Sequence, residues 1–330
     1  MTVQLKPTTT RKDPFYRNHK IRDGINQAIY QEMGRDPSIY LFGEGSWVKQ
    51  HYDAPKILAE FPERIVTLPI SEDANTNFAV GASLLGIKPV IDVILADFLY
   101  RTMDSICNTA AKLNFVAADG QEPRTIVIRS EFIIGGPTTG QRPEALFTHI
   151  PGLNVVIPST PRDAYGLMLT ALRTPGVTLF FEDRMIPDES FKETDCRLEG
   201  GIGFRFSLER RNGNITPDCT ILTYGVMRHV VEEALDPMQN VDLIDLRSIY
   251  PVDWITIGAS VRRSRRLLII EPDVRYGGVG SEIAAAVAEG MPGTRVKRLG
   301  APRLTIPATL SLHERMLPTR EEILDAINKF

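Results

Sequence analysis

Apolar positions Ile21, Ile25, Ala28, Ile29 and Met33 recur three or four residues apart and stop at Gly34-Arg35-Asp36-Pro37. That spacing predicts an amphipathic helix closed by glycine and proline. Beyond it, short apolar runs alternate with helical patterns. Strands are expected at Ile39 to Phe42, Ile65 to Ile70, Pro89 to Leu95, Thr125 to Arg129, Asn154 to Ile157 and Thr178 to Glu182. Helices are expected at Asp53 to Phe61, Thr76 to Leu85, Met103 to Phe115 and Pro161 to Arg173. Strands separated by helices of this length need crossover connections, which predicts a mostly parallel sheet covered on both faces.

Between Arg184 and Gly203 the pattern turns polar, and a second alternation follows. Its strands fall at Cys219 to Tyr224, Val241 to Asp245, Leu267 to Ile270 and Arg295 to Leu299. Its helices fall at Met227 to Leu235, Trp254 to Val261, Ser281 to Ala288 and Arg320 to Asn328. The expected fold class is α/β in two doubly wound domains. An N-terminal arm (1–20) precedes the first domain (21–186), and a linker (187–203) precedes the second (204–330).

Composition adds mainly exclusions. With 43% hydrophobic and 24% charged residues in 330, the chain is an ordinary globular one, long enough for two cores. A formal net charge of -3 gives no field to recruit nucleic acid or an anionic membrane, and no apolar run is long enough to span one. Cys107, Cys196 and Cys219 are odd in number and widely spaced, which argues against a disulfide framework or zinc ribbon and for a reduced, cytoplasmic setting. The basic first twenty residues lack the apolar core of a signal peptide and read as a loose arm.

The chemistry concentrates at Leu68-Pro69-Ile70-Ser71-Glu72, where a strand runs into an acid, and at Val90 to Phe98, where the next strand ends near an aromatic ring. In open α/β sheets ligands sit at the carboxyl ends of strands. A carboxylate enclosed by apolar surface can share a proton with a heterocycle nitrogen, and a phenyl ring offers a stacking face. The plainer reading makes Glu72 a helix-capping acid and Phe98 a core residue.

Several segments carry a family resemblance. They are Arg22-Asp23-Gly24-Ile25-Asn26-Gln27-Ala28, Leu41-Phe42-Gly43-Glu44, Pro69-Ile70-Ser71-Glu72, Asn108-Thr109-Ala110-Ala111-Lys112, His149-Ile150-Pro151-Gly152-Leu153, Ile157-Pro158-Ser159-Thr160-Pro161-Arg162-Asp163-Ala164 and Ile244-Asp245-Leu246-Arg247-Ser248. In this order the chain resembles the beta subunit of thiamine diphosphate-dependent 2-oxo acid dehydrogenases. The resemblance implies a transketolase-like pyrimidine-binding domain followed by a transketolase C-terminal-like domain. It also implies thiamine diphosphate as cofactor, with Glu72 hydrogen-bonding the aminopyrimidine and Glu44, Ile94, Phe98 and Arg101 around it. No Gly-Asp-Gly occurs here, so Mg2+ and the diphosphate would be held by a partner alpha subunit in an α2β2 heterotetramer.

The chain departs from the family pattern at three places, of which the first two would border the same pocket by the resemblance. The loop Gly135 to Ala145 lacks the Gln-His-Ser segment of the dehydrogenases, and Gln141 runs directly into Arg142-Pro143-Glu144. Arg142 then either binds a substrate carboxylate or phosphate or lies in solvent. His149, a family position, is the remaining catalytic candidate there, against a structural role bonded to a loop carbonyl. A second trimmed loop contains His51-Tyr52-Asp53-Ala54-Pro55, and the turn Arg173 to Val177 is shorter than the family's potassium-binding turn, so no such ion is expected. Gly277-Gly278-Val279-Gly280-Ser281-Glu282 lacks the last glycine of a dinucleotide fingerprint and fits a helix start involved in subunit packing better.

Three functions follow from these expectations. The first is the beta half of an enzyme that decarboxylates a small 2-oxo acid and passes the acyl unit to a lipoyl domain. The second is a carboligase that passes it to an aldehyde or ketone, and the third is a scaffold subunit without catalysis.

Overall fold

The computed structural model describes residues 20–45, 55–116, 123–134, 136–187, 189, 191, 203–204, 207–210, 215–237 and 239–330. The N-terminal arm, the trimmed loop around His51, Cys196 and most of the expected linker lie outside these residues. The first half runs α1 (Lys20–Arg35), β1 (Ile39–Glu44), α2 (Pro55–Glu60), β2 (Ile65–Leu68), α3 (Glu72–Leu84), β3 (Lys88–Leu95), α4 (Leu113–Val116), β4 (Thr125–Phe132), α5 (Glu144–Thr148), β5 (Leu153–Val156), α6 (Pro161–Arg173) and β6 (Gly176–Asp183). The second half runs β7 (Ser207–Arg210), β8 (Cys219–Thr223), α7 (Val226–Ala234), β9 (Val241–Asp245), β10 (Ser248–Tyr250), α8 (Trp254–Ser264), β11 (Arg266–Val274), α9 (Val279–Gly290), β12 (Arg295–Ala301), α10 (Leu310–His313) and α11 (Arg320–Asn328).

Two sheets result, in the orders β10-β5-β6-β4-β3-β1-β2 and β12-β11-β8-β9-β7. All neighbours are parallel except the edge strands β10 and β7, which pair antiparallel with β5 and β9. β10 comes from the second half of the chain yet completes the first sheet. Two buried apolar clusters fill the interior, and each draws residues from both sheets: Leu41 and Ile221 share one, Phe181 and Leu267 the other.

Helices α1 and α6 pack so closely that a Cβ at Gly24 would lie 2.0 Å from the Pro161 carbonyl oxygen. Gly24→Ala forces apart two helices locked into the core, and overpacking of this kind costs about 1–3 kcal/mol. Urea unfolding is expected to show the midpoint drop, and an unchanged midpoint would contradict this contact.

The helix expected from Met103 to Phe115 is broken. It becomes a π-helical turn at Ser105–Thr109, a 3-10 turn at Ala110–Lys112 and the single turn of α4. Ser105 is tied to α3, donating its hydroxyl to Asp73 and accepting from Asn77 at 2.7 Å. These tertiary bonds hold the segment where a regular helix would carry it away, and π turns of this kind recur beside functional sites.

Candidate active site

Strands β1, β2, β3 and β4 are mutually parallel, so Glu44, Ser71-Glu72, Phe98 and the loop residues 136–143 all lie at the carboxyl edge of the sheet. From β1 the chain moves outward to β2, then returns to β3 on the other side. Glu44 therefore ends the strand at the topological switch point, where crevices open in folds of this class.

Glu72 is the first residue of α3, with Ser71 at the cap position. It is buried, and Oε2 lies 3.3 Å from Nε of Arg101, whose side chain is 73% exposed. Beside it, the buried Glu44 carboxylate accepts from the Ser71 backbone N–H at 3.1 Å and from Asn75 Nδ2 at 2.9 Å. Asn75 also donates to the Pro69 carbonyl at 2.8 Å, fixing the bend between β2 and α3. Burial pushes the Glu44 carboxyl above its ordinary value; the Ser71 N–H opposes the push and the charge of Glu72 adds to it. Ile94 and Phe98 are half-buried at the end of β3, with Phe98 packed against the apolar cluster. Ile70 is 73% exposed and Tyr100 42%, leaving apolar surface uncovered around the acids.

Asp97, which the sequence reading passed over, organises the neighbouring loop. Its buried carboxylate accepts from the backbone N–H groups of Gly140 at 3.1 Å and Gln141 at 2.9 Å. The shortened loop is thereby tied to the strand end that carries Phe98. Burial raises the Asp97 pKa against these two bonds. An acid beside the strand-end ring was the available signal.

Arg142 occupies neither of the places expected of it. Its guanidinium is buried, donating from Nε to Glu144 at 3.2 Å and from Nη2 to Asp183 at 3.0 Å, and it lies 3.9 Å over the Phe132 ring. With those bonds made it does not offer a free fork to a substrate carboxylate. Burial works against its charge, but Asp183 and Glu144 more than offset that and raise its pKa. His149 follows α5 and precedes β5, which runs parallel to β6 and β4. It is exposed at the amino edge, opposite Glu72, so the structure does not bring the two together.

The Arg142 cluster belongs to the contact between the halves of the chain. Asp183 also accepts from the Val226 N–H at 3.2 Å, and Tyr224 donates to Glu144 at 3.3 Å. Nearby, Ser159 donates to Asp245 at 2.8 Å, His229 Nε2 meets the Ser159 carbonyl at 2.7 Å, and Arg247 pairs with Asp163 at 2.5 Å. The motifs around Ser159 and Asp245 thus meet each other; Ser159 follows β5 at the same carboxyl edge as Glu72 but several strands away across the sheet.

Burial pushes Asp245 from 3.8 up to about 8, aided by the charge of Asp163. The unfolded chain releases this proton near 4 while the folded one retains it to about 8. The contribution to stability is therefore full below the unfolded pKa and lost as pH rises through the folded one. Asp245→Asn is expected to flatten the loss between those values in unfolding measured across pH; an unaltered slope would refute the assignment.

At the start of α9, the Glu271 carboxylate accepts from the Gly280 N–H at 3.0 Å. A Cβ on Gly278 would approach it to 2.5 Å, so the glycines make room for an internal acid where a phosphate loop would seat its anion. Among the described residues no group of three His, Cys, Asp or Glu is placed to hold a metal ion. No described helix is long and apolar enough to cross a membrane.

Family comparisons match the transketolase pyrimidine-binding domain over residues 18–187 and the transketolase C-terminal domain over residues 211–323. The chain is 33% identical to pyruvate dehydrogenase E1 component subunit beta-1, mitochondrial, of Arabidopsis thaliana, over 93% of this chain and 87% of that protein. It is 30% identical to pyruvate dehydrogenase E1 component subunit beta of Rickettsia felis, over 94% and 97%. It is also 31% identical to 2-oxoisovalerate dehydrogenase subunit beta 2 of Arabidopsis thaliana, over 92% and 86%. Among solved structures, a split gene transketolase described as an inactive beta4 tetramer shares the fold, with TM-score 0.76 at 21% identity over 94% of this chain and 97% of that one. Its two α/β units, their order and these relatives place the chain in the family of beta subunits of thiamine diphosphate-dependent 2-oxo acid dehydrogenases.

Proposed function

We propose that the chain is the beta half of a two-component thiamine diphosphate enzyme that decarboxylates a 2-oxo acid and transfers the acyl unit. The observation that carries this reading is the buried Glu72 at the carboxyl edge, backed by Glu44 and flanked by Phe98. The residues fit the pyrimidine half of the cofactor. Glu72 has an exposed, displaceable partner in Arg101, and the half-buried Phe98 stands at the adjoining strand end.

When bound, the cofactor supplies a ring that accepts the electrons left by departing carbon dioxide. Glu72 holds a proton toward the pyrimidine nitrogen, and Glu44 with Ser71 and Asn75 fixes the turn from which Glu72 projects. Phe98 and Ile94 present apolar contact to the ring, while Asp97 keeps the loop 136–143 against the site. The diphosphate and Mg2+ fall to an alpha subunit in an α2β2 assembly that covers the exposed apolar edge. A cytoplasmic setting belongs to the same reading, with Cys107 and Cys219 free.

A carboligase, handing the unit to an aldehyde or ketone instead of a lipoyl domain, is a second reading. It is favoured by a loop that has no histidine and whose Arg142 is held elsewhere. The test is co-assembly with an alpha-type subunit, calorimetric titration with thiamine diphosphate, and product analysis from pyruvate or branched 2-oxo acids. Saturable uptake with acyl-lipoyl formation supports the dehydrogenase, and carbon–carbon products support the carboligase. Assembly without uptake would leave only a scaffold.

A further inference from the structure

A cleft lies far along the chain from Glu72, in the second sheet. It has a volume of about 690 Å³ and is lined by Arg275, Tyr276, Ala284, Val296, Lys297, Arg298 and Leu299. No carboxylate is among these lining residues. β12, which supplies four of them, is the edge strand of its sheet. Cations on an edge strand often serve only to discourage pairing with other chains. Here, however, they converge with cations from a separate loop after β11.

That loop is held in place. The Arg275 N–H donates to the Ala301 carbonyl at 3.0 Å, and Arg298 donates to the Arg275 carbonyl as well as to Glu271 at 2.7 Å. Tyr276 is 78% exposed, with the Arg303 guanidinium 5.4 Å from its ring centroid. One wall is thus cationic and prepositioned, and the rest is aromatic and aliphatic. Guanidinium groups suit phosphate oxygens, a tyrosine face suits a flat ring, and the volume is that of small-molecule sites.

We propose that this cleft binds an organic phosphate bearing a planar ring, the class to which nucleotides belong. Its phosphates lie against Arg275 and Lys297, with Arg298, paired to Glu271, holding the Arg275 loop in place, and its ring lies on Tyr276. The site is independent of Glu72 and of the reaction assigned to it.

Calorimetric titration of the full chain with ADP and with inorganic pyrophosphate tests the proposal. ADP is expected to bind saturably and more tightly than pyrophosphate, and both to weaken as salt rises. Lys297→Glu combined with Arg275→Ala is expected to weaken ADP at least tenfold. Tyr276→Ala is expected to remove the preference for ADP while leaving pyrophosphate binding intact. All three side chains line an open cleft, and an unchanged melting midpoint certifies each variant as folded. Absence of saturable binding at millimolar concentration, or binding indifferent to the paired substitution, overturns the site. Equal binding of both probes overturns the ring assignment. Loss of ADP binding on adding an alpha-type subunit overturns the proposal in favour of a subunit contact.

Discussion

Glu72→Gln in the assembled enzyme is expected to lower turnover of 2-oxo acids by about 10²–10⁴-fold, the usual range for a group that manages a proton. Glutamine has nearly the same volume, fits the first turn of α3 and can still hydrogen-bond, but it cannot share a proton with a ring nitrogen. The fold should tolerate the change. The partner removed is Arg101, whose side chain is 73% exposed, and pairs so solvated contribute about 0–1 kcal/mol. The competing role, a carboxylate that merely favours a helix N-terminus, predicts the reverse: a stability loss of about 0.3–1 kcal/mol with activity intact. Steady-state rates and a melting curve on one preparation separate the two. Full activity in the variant would end the case for Glu72 as activator.

Arg142→Ala carries the largest expected effect on stability. The substitution leaves Glu144 and Asp183 buried beside one another with no cation between them. Removing one member of such a buried cluster costs about 3–5 kcal/mol. Loss of the guanidinium over Phe132 adds about 0.5–2 kcal/mol. Lysine at 142 restores the charge but not the two-pronged geometry, so Arg142→Lys should recover only part of the loss. The alanine variant should also regain stability as pH falls, because protonation relieves the orphaned Glu144, whose pKa burial already raises while Arg142 opposes the rise. Urea unfolding at two pH values reads both effects. A substrate-binding arginine predicts something else, a raised KM in a chain of normal stability, and that outcome would restore the role the sequence allowed it.

How far each feature was readable depended on how local its cause is. α6 and α11 begin and end where spacing and their Thr160 and Thr319 caps put them, because capping and periodicity involve neighbours in sequence. The Met103 to Phe115 segment misled because its helical spacing competes with bonds from Ser105 to Asp73 and Asn77, about thirty residues earlier. β10 was unreadable: three residues carry no period, and the strand exists because β5 offers an open edge. Within the site, Glu72, Glu44 and Phe98 were recognisable as strand-end residues. His149 was not placeable, since a motif does not state on which edge of the sheet it falls. Arg142 was misread because its two carboxylates come from Glu144 and from Asp183, the latter at the end of the neighbouring strand β6, which is distant in sequence.

The alternation of short apolar runs with helical patterns, and the acid that closes the second strand, were decided by the sequence itself. Periodicity and strand direction together suffice to send Glu72 to a carboxyl edge. Tertiary structure alone decided which side chains share that edge, which buried charges neutralise one another, and which short segments complete a sheet begun by the other half of the chain. Burial sets these outcomes: the cost of leaving a charge or a strand edge unpartnered depends on what the rest of the fold brings within a few ångströms, and no local pattern records that.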